Sequence, residues 1–394
     1  MKHPAATLMQ KLKPATKFIK GKYLLFFLPP IIFFGLTLSF KNDKAFFEYF
    51  SSIIEEPVET TEEETVRHIE TPEPVKAIYM TSWTASEKDL RERLVKMIDT
   101  TELNSVVIDI KDYSGRIAFE VSDPALVEIG SAQERILDIK DFINYLHGKN
   151  IYVIGRIAVF QDPYLVSKRP DLAVKKASDE TVWKDYKGIT WLDPCSEEVW
   201  GYIVSIALES EKVGFDELNF DYIRFPSDGN MANIKYPLCG ESFSKPEEME
   251  KFFAYLKTNL SDISTPLSAD LFGMVTVNTD DLNIGQVLER AEPYFDYIAP
   301  MVYPSHYPKG YNNYKNPATM PYEIVKTAME TASWRLIAAS STPYKLRPWL
   351  QDFDLGAVYD ASMVRKQKQA VYDAGLTGWM LWDASNQYTP DALD

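Results

Sequence analysis

Three aspartates, Asp109, Asp221 and Asp270, stand within short apolar runs of the sequence. The runs are rich in β-branched or aromatic residues, as in Phe220-Asp221-Tyr222, and indicate buried strands with a carboxyl group near their ends. Hydrolysis of a glycosidic bond needs two such groups, one to donate a proton and one to act as nucleophile or base. We therefore interpret Asp221, Asp270 and Asp109 as candidate catalytic residues.

Side chains suited to holding a sugar follow the same runs. Aromatic rings offer flat apolar faces to pyranose C–H groups, and arginines orient carboxylates. Simpler roles stay open, because a strand-end Asp can cap a helix, an aromatic ring can belong to the core, and Asp109 could form an ion pair with Lys111 and Arg156. The candidate substrate-binding residues are Arg156, Arg224, Tyr303, His306, Trp382, Asp383 and Trp191.

Other chemistries find less support in the sequence. There is no Gly-x-Ser-x-Gly nucleophile motif, and neither Cys195 nor Cys239 has a histidine nearby in sequence. A metal-dependent deacetylase or phosphodiesterase would need a His/Asp cluster, whereas the four histidines are scattered. We therefore expect neither a metal nor another cofactor.

The apolar runs alternate with helical patterns from residue 76 onward. Strands that are apolar throughout and alternate with helices indicate a parallel sheet that is buried on both faces. Eight such units favour an α/β fold of the (β/α)₈ TIM-barrel type, whose chemistry lies at the carboxyl ends of the strands. An open doubly wound sheet is the alternative, but Thr81-Ser82-Trp83-Thr84 is not the Gly-rich turn that it would need. The predicted strands span residues 77–81, 105–110, 151–157, 217–222, 266–271, 297–303, 335–339 and 378–382.

Three segments of different composition precede the barrel. Residues 1–22 carry six lysines and no acidic residue, and residues 23–40 are an uncharged apolar run about 27 Å long as a helix. This order predicts a cytoplasmic basic N-terminus and a transmembrane signal anchor, with a cleaved signal peptide and a buried soluble helix as alternatives. Residues 41–75 are rich in Glu, Thr and Pro, which indicates a disordered acidic linker. Residues 76–394 form the predicted barrel domain.

The charge of the chain argues against nucleic acid as a partner. The 394 residues have a net charge of −15, and the predicted barrel has no basic cluster of the kind that phosphate binding requires. Two cysteines are too few for a disulfide-dense scaffold, although in an oxidising compartment Cys195 and Cys239 could pair. Protein partners cannot be predicted from these patterns.

Seven motifs resemble, in sequence order, the glycoside-hydrolase-like domain of uncharacterised prokaryotic envelope proteins. The resemblance covers the chain from about Lys76 to its end and implies a TIM-type barrel with a carbohydrate activity. The motifs are Gly155-Arg156-Ile157-Ala158-Val159-Phe160-Gln161-Asp162-Pro163, Trp191-Leu192-Asp193-Pro194, Gly214-Phe215-Asp216-Glu217, Phe220-Asp221-Tyr222-Ile223-Arg224-Phe225-Pro226, Ala299-Pro300-Met301-Val302-Tyr303-Pro304-Ser305-His306-Tyr307, Arg347-Pro348-Trp349-Leu350-Gln351-Asp352-Phe353 and Gly378-Trp379-Met380-Leu381-Trp382-Asp383-Ala384.

Two more distant resemblances concern the fourth strand. Asp216 and Asp221 are similar to two aspartates of the chitinase-type hydrolases of family 18, but Asn219 replaces a third and Ile223 stands where that family has its catalytic Glu. An Asp followed by Tyr also resembles retaining α-glycosidases, which implies that Asp221 is a nucleophile.

The sequence thus predicts a membrane-anchored, extracytoplasmic glycoside hydrolase that acts on a polysaccharide or glycan. Asp221 is the expected nucleophile or base and Asp270 the expected proton donor, with Asp109, Arg156 and Arg224 tuning and orienting them. The alternative is a non-catalytic glycan- or wall-binding barrel on a membrane stalk. Carboxyl groups within about 10 Å of each other in an aromatic-lined cleft would favour hydrolysis.

Overall fold

The computed structural model describes residues 66–394. The predicted cytoplasmic segment 1–22, the membrane segment 23–40 and the linker up to residue 65 lie outside the described residues. Within residues 66–394, no helix combines the length and the apolar character needed to span a membrane.

Eight parallel strands close into a barrel in which each strand pairs with its neighbours in sequence and the first pairs with the last. The eight-stranded barrel that the sequence predicts is therefore confirmed. The strands are Lys76–Met80 (β1), Ser105–Lys111 (β2), Tyr152–Ala158 (β3), Glu217–Asp221 (β4), Leu267–Phe272 (β5), Tyr297–Met301 (β6), Trp349–Gln351 (β7) and Trp379–Trp382 (β8).

Helices of 4 to 18 residues connect the strands. Several begin with a side-chain cap. Ser196, for example, precedes the helix Glu197–Val213, and its hydroxyl accepts a hydrogen bond from the Val199 N–H. The helices are Ser82–Ser86 (α1), Lys88–Asp99 (α2), Pro124–Ile129 (α3), Ile139–Gly148 (α4), Pro163–Lys168 (α5), Glu197–Val213 (α6), Lys245–Asn259 (α7), Leu288–Ala291 (α8), Pro321–Ala338 (α9) and Ala361–Asp373 (α10).

Side chains alternate between two cores because successive residues of a strand point to opposite faces. One core lies inside the barrel and includes Tyr79, Val107, Ile154 and Trp349. The other lies between the barrel and the helices, and it takes neighbouring strand residues such as Ile78. Polar side chains near the carboxyl ends of the strands therefore share the inward face with the inner core.

The seventh strand was predicted wrongly. Residues 335–339 include the last turn of α9, whereas β7 is the three-residue strand Trp349–Gln351. A short apolar run does not by itself distinguish a strand from one face of a helix. The observed strand pairs Trp349 with Met301 of β6 and Met380 of β8, which closes the barrel.

The segment that precedes β1 contacts the amino-terminal end of the barrel. The Ile69 N–H donates to Asp216 at 2.8 Å, and the hydroxyls of Thr71 and Tyr152 lie 2.9 Å apart. Residues 66–75, which the sequence assigns to the linker, therefore pack against the folded domain. These contacts form only in the tertiary structure. Composition alone therefore places the boundary between linker and barrel domain too late in the sequence.

Candidate active site

Arg156 lies at the centre of a buried cluster of charged side chains at the carboxyl ends of β2 to β5. Its Nη1 donates to Oδ1 of Asp109 at 2.7 Å. Its Nη2 and Nε donate to Oδ2 of Asp221 at 2.5 and 3.1 Å. Burial alone would lower the pKa of Arg156, but the charges of Asp221 and Asp109 raise it well above its ordinary value. The arginine is therefore a permanent cation that joins two carboxylates.

Asp270 belongs to the same cluster but has different surroundings. Its Oδ1 accepts from Nδ2 of Asn219 at 2.9 Å and from Nε1 of Trp349 at 2.8 Å. Its Oδ2 lies 3.9 Å from Nε of Arg156. Burial raises the pKa of Asp270 well above its usual range, and the charge of Asp221 raises it further. This environment favours a neutral acid whose proton resides on Oδ2.

Asp221 and Asp270 are close enough to act on one bond. Nε of Arg156 is 3.1 Å from Oδ2 of Asp221 and 3.9 Å from Oδ2 of Asp270. The two oxygens therefore cannot be farther apart than these distances combined, about 7 Å. Carboxyl groups lie about 5–5.5 Å apart in retaining glycosidases and about 6.5–9.5 Å apart in inverting ones. This upper limit is compatible with a hydrolytic pair of either kind.

Strand register explains why these side chains meet. Asp109 pairs with Arg156, Arg156 with Asn219, and Asn219 with Ser268, so all four stand at one level of the barrel. Asp221 and Asp270 come two residues after Asn219 and Ser268 and share their inward face. Residues that are more than a hundred positions apart in sequence are thereby brought into one site.

The backbone just after Asp221 also holds its carboxylate. Tyr222 has a φ of 54°, in the left-handed region that a bulky residue rarely adopts. In this conformation the Tyr222 N–H donates to Oδ1 of Asp221 at 2.6 Å. Both oxygens of Asp221 are thus held, one by a backbone N–H and the other by Arg156.

Asp109 has a tyrosine as its second partner. The Tyr79 hydroxyl donates to Oδ2 of Asp109 at 2.5 Å, while Arg156 occupies Oδ1. Burial raises the pKa of Asp109, although Arg156 and the Tyr79 hydroxyl oppose this effect. Because both oxygens face buried partners, Asp109 is arranged to position Arg156.

Three aromatic rings pack beside the charged cluster. The rings of Tyr79 and Trp382 stack with centroids 4.0 Å apart, and Trp349 meets Trp382 edge-on at 5.5 Å. The Arg156 guanidinium lies 5.1 Å from the centroid of Trp382. Trp382 is only half-buried, so part of its surface remains accessible.

Tyr303 and His306 follow β6 at the same end of the barrel. Burial raises the pKa of Tyr303 well above its ordinary value, and the charges of Asp270 and Asp221 raise it further. His306 lies farther out, with its exposed ring 5.3 Å from that of Tyr303. Partial enclosure and the charge of Lys187 lower the pKa of His306.

Arg224 and Trp191 lie together to one side of the cluster. The guanidinium is 4.8 Å from the Trp191 ring centroid, and Nε1 of Trp191 donates to Asp185 at 3.2 Å. Trp191 is 1% exposed, so it supports Arg224 and offers no open face to a sugar. Within residues 66–394, Arg224 forms no ion pair with a carboxylate, in contrast to the orienting role that the sequence predicts.

Asp383 is occupied by its own turn. Its Oδ1 accepts from both the N–H and the hydroxyl of Ser385 at 2.5 Å. The structure therefore does not place this carboxylate in contact with Arg156, as it does those of Asp109 and Asp221. The pattern Asp-x-Ser is typical of an Asx turn, and this signal was available in the sequence.

Sequence reasoning missed three residues that contact the candidate catalytic groups. Tyr79 and Asn219 each stand two residues before a position at or next to the predicted end of a strand. Because residues two apart in a strand point to the same face, both could have been placed in the site from the sequence. Trp349 could not be found in this way, because the seventh strand was assigned to the wrong residues. Trp83, which is 54% exposed after β1 and lies 4.4 Å from the Arg135 guanidinium, is a further aromatic ring at this end of the barrel.

A group of potential metal ligands, one aspartate and two cysteines, lies outside the cluster around Arg156. Asp193, Cys195 and Cys239 have ligand atoms close together, but the two cysteines form a disulfide with a Cα–Cα distance of 5.0 Å. Their sulfurs are therefore bonded to each other, and this group is a cross-link between the segments that follow β3 and β4. The pairing that the sequence left open is present in the structure.

Comparison with known structures finds proteins that are similar to this chain. The glycoside hydrolase domain of PgaB (BpsB) from Bordetella bronchiseptica matches with a TM-score of 0.55 and 13% identity over 79% of this chain and 94% of that domain. A hypothetical protein from Ruminiclostridium thermocellum is 37% identical over 49% of this chain and 96% of its own, with a TM-score of 0.45. The glycoside hydrolase domain of PelA from Pseudomonas aeruginosa is 10% identical over 80% of this chain and 97% of that domain, with a TM-score of 0.44.

Comparison at the level of sequence identifies the family. No curated protein matches the chain significantly. The sequence model of one family matches residues 77–388, which covers the barrel from β1 to beyond β8 and contains every residue of the cluster around Arg156. The chain therefore belongs to the family described as "Putative glycosyl hydrolase domain".

Proposed function

We propose that the barrel hydrolyses a glycosidic bond with Asp221 and Asp270 as its carboxyl pair. The observation that carries this proposal is the unequal environment of two carboxyl groups within about 7 Å of each other. Asp221 is paired with the cation of Arg156, whereas Asp270 is buried among neutral donors with a raised pKa. Two carboxyl groups with opposite protonation states are the requirement for this reaction.

In the proposed reaction, Asp270 donates its proton to the glycosidic oxygen as the bond to the leaving sugar breaks. Asp221 acts on the anomeric carbon, either directly as a nucleophile or by activating a water molecule. Arg156 pairs with Asp221 and, with Asp109 and Tyr79 behind it, fixes the direction of the carboxylate. In the nucleophilic route, Asp270 would then take a proton from the water that releases the covalent intermediate.

Aromatic residues around the pair are suited to bind the sugar. The Trp382 ring lies beside Arg156, and Tyr303 and His306 pack together after β6 at the same end of the barrel. The exposed ring of Trp83 is held by Arg135, which donates to Asp112 at 2.5 Å and to Ser82 at 2.9 Å. A fixed, exposed ring after β1 offers a second platform for a polymeric substrate.

The proposed location of the enzyme is outside the cytoplasm, on a membrane tether formed by residues 23–40. The Cys195–Cys239 disulfide supports this proposal, because such bonds persist in oxidising compartments. The lysines of residues 1–22 support an orientation with that segment in the cytoplasm.

Substitution of Asp221 tests the proposed function. After a glycan screen has identified a substrate, Asp221→Asn should reduce kcat by at least about 10²- to 10⁴-fold with an unchanged circular dichroism spectrum. Asp373→Asn is the matched control, because Asp373 is an exposed carboxylate at the end of α10. Full turnover by Asp221→Asn would exclude Asp221 as a catalytic residue. The anomeric configuration of the first product, measured by NMR, distinguishes retention from inversion.

A further inference from the structure

Arg224 is a buried cation without a charged partner among the described residues. It is 7% exposed, and its guanidinium lies among three rings, 4.6 Å from Phe272, 4.8 Å from Trp191 and 5.5 Å from Tyr222. Burial lowers the pKa of Arg224. Buried arginines are usually paired with carboxylates, because an isolated charge is costly to remove from water.

One edge of this guanidinium is available to a ligand. Nη1 donates to the carbonyl oxygen of Phe225 at 3.0 Å, whereas Nε and Nη2 donate to no atom of residues 66–394. These two nitrogens are not among the fully buried atoms without partners, so they retain contact with solvent. Nε and Nη2 together form the side of the guanidinium that binds both oxygens of a carboxylate.

The free edge is near the catalytic pair. The ring of Tyr222 lies between the two arginines, with Arg156 5.9 Å and Arg224 5.5 Å from its centroid. The two guanidinium carbons are therefore at most about 11.4 Å apart, which is the sum of these distances. Phe272, which contacts Arg224, follows Asp270 by two residues at the end of β5. A separation within this limit allows Arg224 to reach a group on the sugar ring next to the cleaved bond.

Nearby carboxylates do not neutralise Arg224. The charges of Asp221, Asp228 and Asp185 act on it, but none of them comes within the 4.0 Å of an ion pair. Asp221 is bound by Arg156, and Asp185 accepts from the N–H groups of Lys187 and Ile189 and from Trp191. Asp221 and Asp185 are therefore already occupied, and Asp228 lies beyond ion-pair distance of Arg224.

A second cation faces the same end of the barrel. Lys187 is exposed on the loop after Asp185, and its charge lowers the pKa of His306. Its ammonium forms no ion pair within the described part of the chain. The buried, unpaired Arg224 is unexpected in a domain with a net charge of −14 over residues 76–394, and Lys187 adds a second positive charge near His306. A negatively charged substrate would account for both.

We propose that Arg224 binds the carboxylate of an acidic sugar next to the cleaved bond, so that the substrate is a carboxylate-bearing glycan. The inference rests on the proposed hydrolytic function of the same site. Nε and Nη2 of Arg224 make two parallel hydrogen bonds to the carboxylate, and the rings of Trp191 and Phe272 fix the plane of the guanidinium. Lys187 attracts the same polymer through its charge.

Binding to the inactive Asp221→Asn protein tests the proposal without turnover. Calorimetry compares uronic acid oligosaccharides, muramic-acid-containing glycan strands and the same compounds with their carboxyl groups reduced to alcohols. We expect an acidic compound to bind at least about tenfold more tightly than its reduced form. The two acidic series distinguish uronate from lactyl carboxylate. Equal affinity for acidic and reduced forms, or no binding of any acidic compound, would overturn the proposal.

Substitution of Arg224 provides a second test of the proposed carboxylate contact. Arg224→Gln should weaken binding of the acidic compound by about 10- to 100-fold and leave binding of the reduced form nearly unchanged. Arg224→Lys, which keeps the charge but loses the two-pronged contact, should fall between these values. Arg93→Gln on the exposed surface of α2 is the matched control. An equal loss for acidic and reduced compounds would overturn the carboxylate contact.

Stability separates a ligand-binding role from a structural one. A buried arginine without a carboxylate partner does not favour folding, so Arg224→Gln should have a Tm equal to or above that of the parent protein. If Arg224→Gln has a lower Tm than the parent protein and the same ratio of affinities for acidic and reduced compounds, then the role of Arg224 is structural. Failure of the hydrolytic function appears separately, as full activity in Asp221→Asn.

Discussion

Nε and Nη2 of Arg156 both donate to a single oxygen of Asp221, Oδ2, at 3.1 and 2.5 Å. The arginine comes from β3 and the aspartate from the neighbouring β4. The other oxygen of Asp221, Oδ1, accepts a hydrogen bond from the Tyr222 N–H and can also contact a substrate. The same arginine is bound on its other side by Asp109, so its position is fixed before a substrate arrives.

Loss of Arg156 should reduce stability as well as activity. Arg156→Gln leaves the buried carboxylates of Asp109 and Asp221 without a cation, which should lower the free energy of unfolding by about 3–5 kcal/mol. Urea unfolding measures this change. Arg156→Gln combined with Asp109→Asn should recover part of the stability but not the activity. Additive losses in the double variant would show that the two residues are not coupled.

The proton donor can be identified from the dependence on the leaving group. Asp270→Asn should lower kcat for an oligosaccharide by about 10²- to 10⁴-fold, because the leaving sugar needs a proton. For a dinitrophenyl glycoside of the same sugar the loss should be small, because dinitrophenolate leaves without protonation. Steady-state rates with both substrates provide the measurement. Asp221→Asn should be impaired with both, and an equal loss with both for Asp270→Asn would contradict its role as the acid.

The pH profile should have an alkaline limb that belongs to Asp270. Burial raises the pKa of this group, and it must be protonated to act, so kcat/KM should fall as pH rises through that pKa. The Trp349 N–H donates to the carboxylate and thereby opposes the increase in pKa. Trp349→Phe should therefore move the limb to higher pH by about one unit.

A matched substitution controls for the loss of a buried indole. Trp200 in α6 is also buried, and its Nε1 donates to the carbonyl oxygen of Pro194 at 2.7 Å, away from the acid. Trp200→Phe should change stability without moving the alkaline limb. A limb at the same pH in Trp349→Phe and in the parent protein would disprove its assignment to Asp270.

The disulfide should contribute measurably to stability. Cys195 and Cys239 are 44 residues apart, and closing a loop of this length stabilises a folded domain by about 2–4 kcal/mol. Replacing both cysteines with serine should lower the midpoint of urea unfolding by a corresponding amount. Dithiothreitol should lower the midpoint of the parent protein and leave that of the double variant unchanged. Sensitivity of the double variant to the reductant would show that the effect has another cause.

Alternation of apolar strands with helices was sufficient to predict the barrel. Parallel strands that are buried on both faces and joined by helices produce this pattern whatever the loops between them. Seven of the eight strands could therefore be placed from local residues. The seventh could not, because Trp349–Gln351 is only three residues long and the apolar turn at Arg335 belongs to α9. A strand of three residues is stabilised by pairing with its neighbours, which no local pattern contains.

Sequence by itself determined the strand-end carboxyl groups, the arginine on β3 and the acidic, aromatic character of the site, because inward positions alternate along each strand. Only the tertiary structure decided which groups are partners. Arg156 could pair with any of several carboxylates, and the pKa of Asp270 is raised only because the folded barrel buries this group beside the charge of Asp221. Arg224, expected to orient a carboxylate, is left without one among residues 66–394 because its nearest neighbours are aromatic rings. Pairing and pKa depend on distance and burial, and neighbours in space are set by strand register and barrel closure.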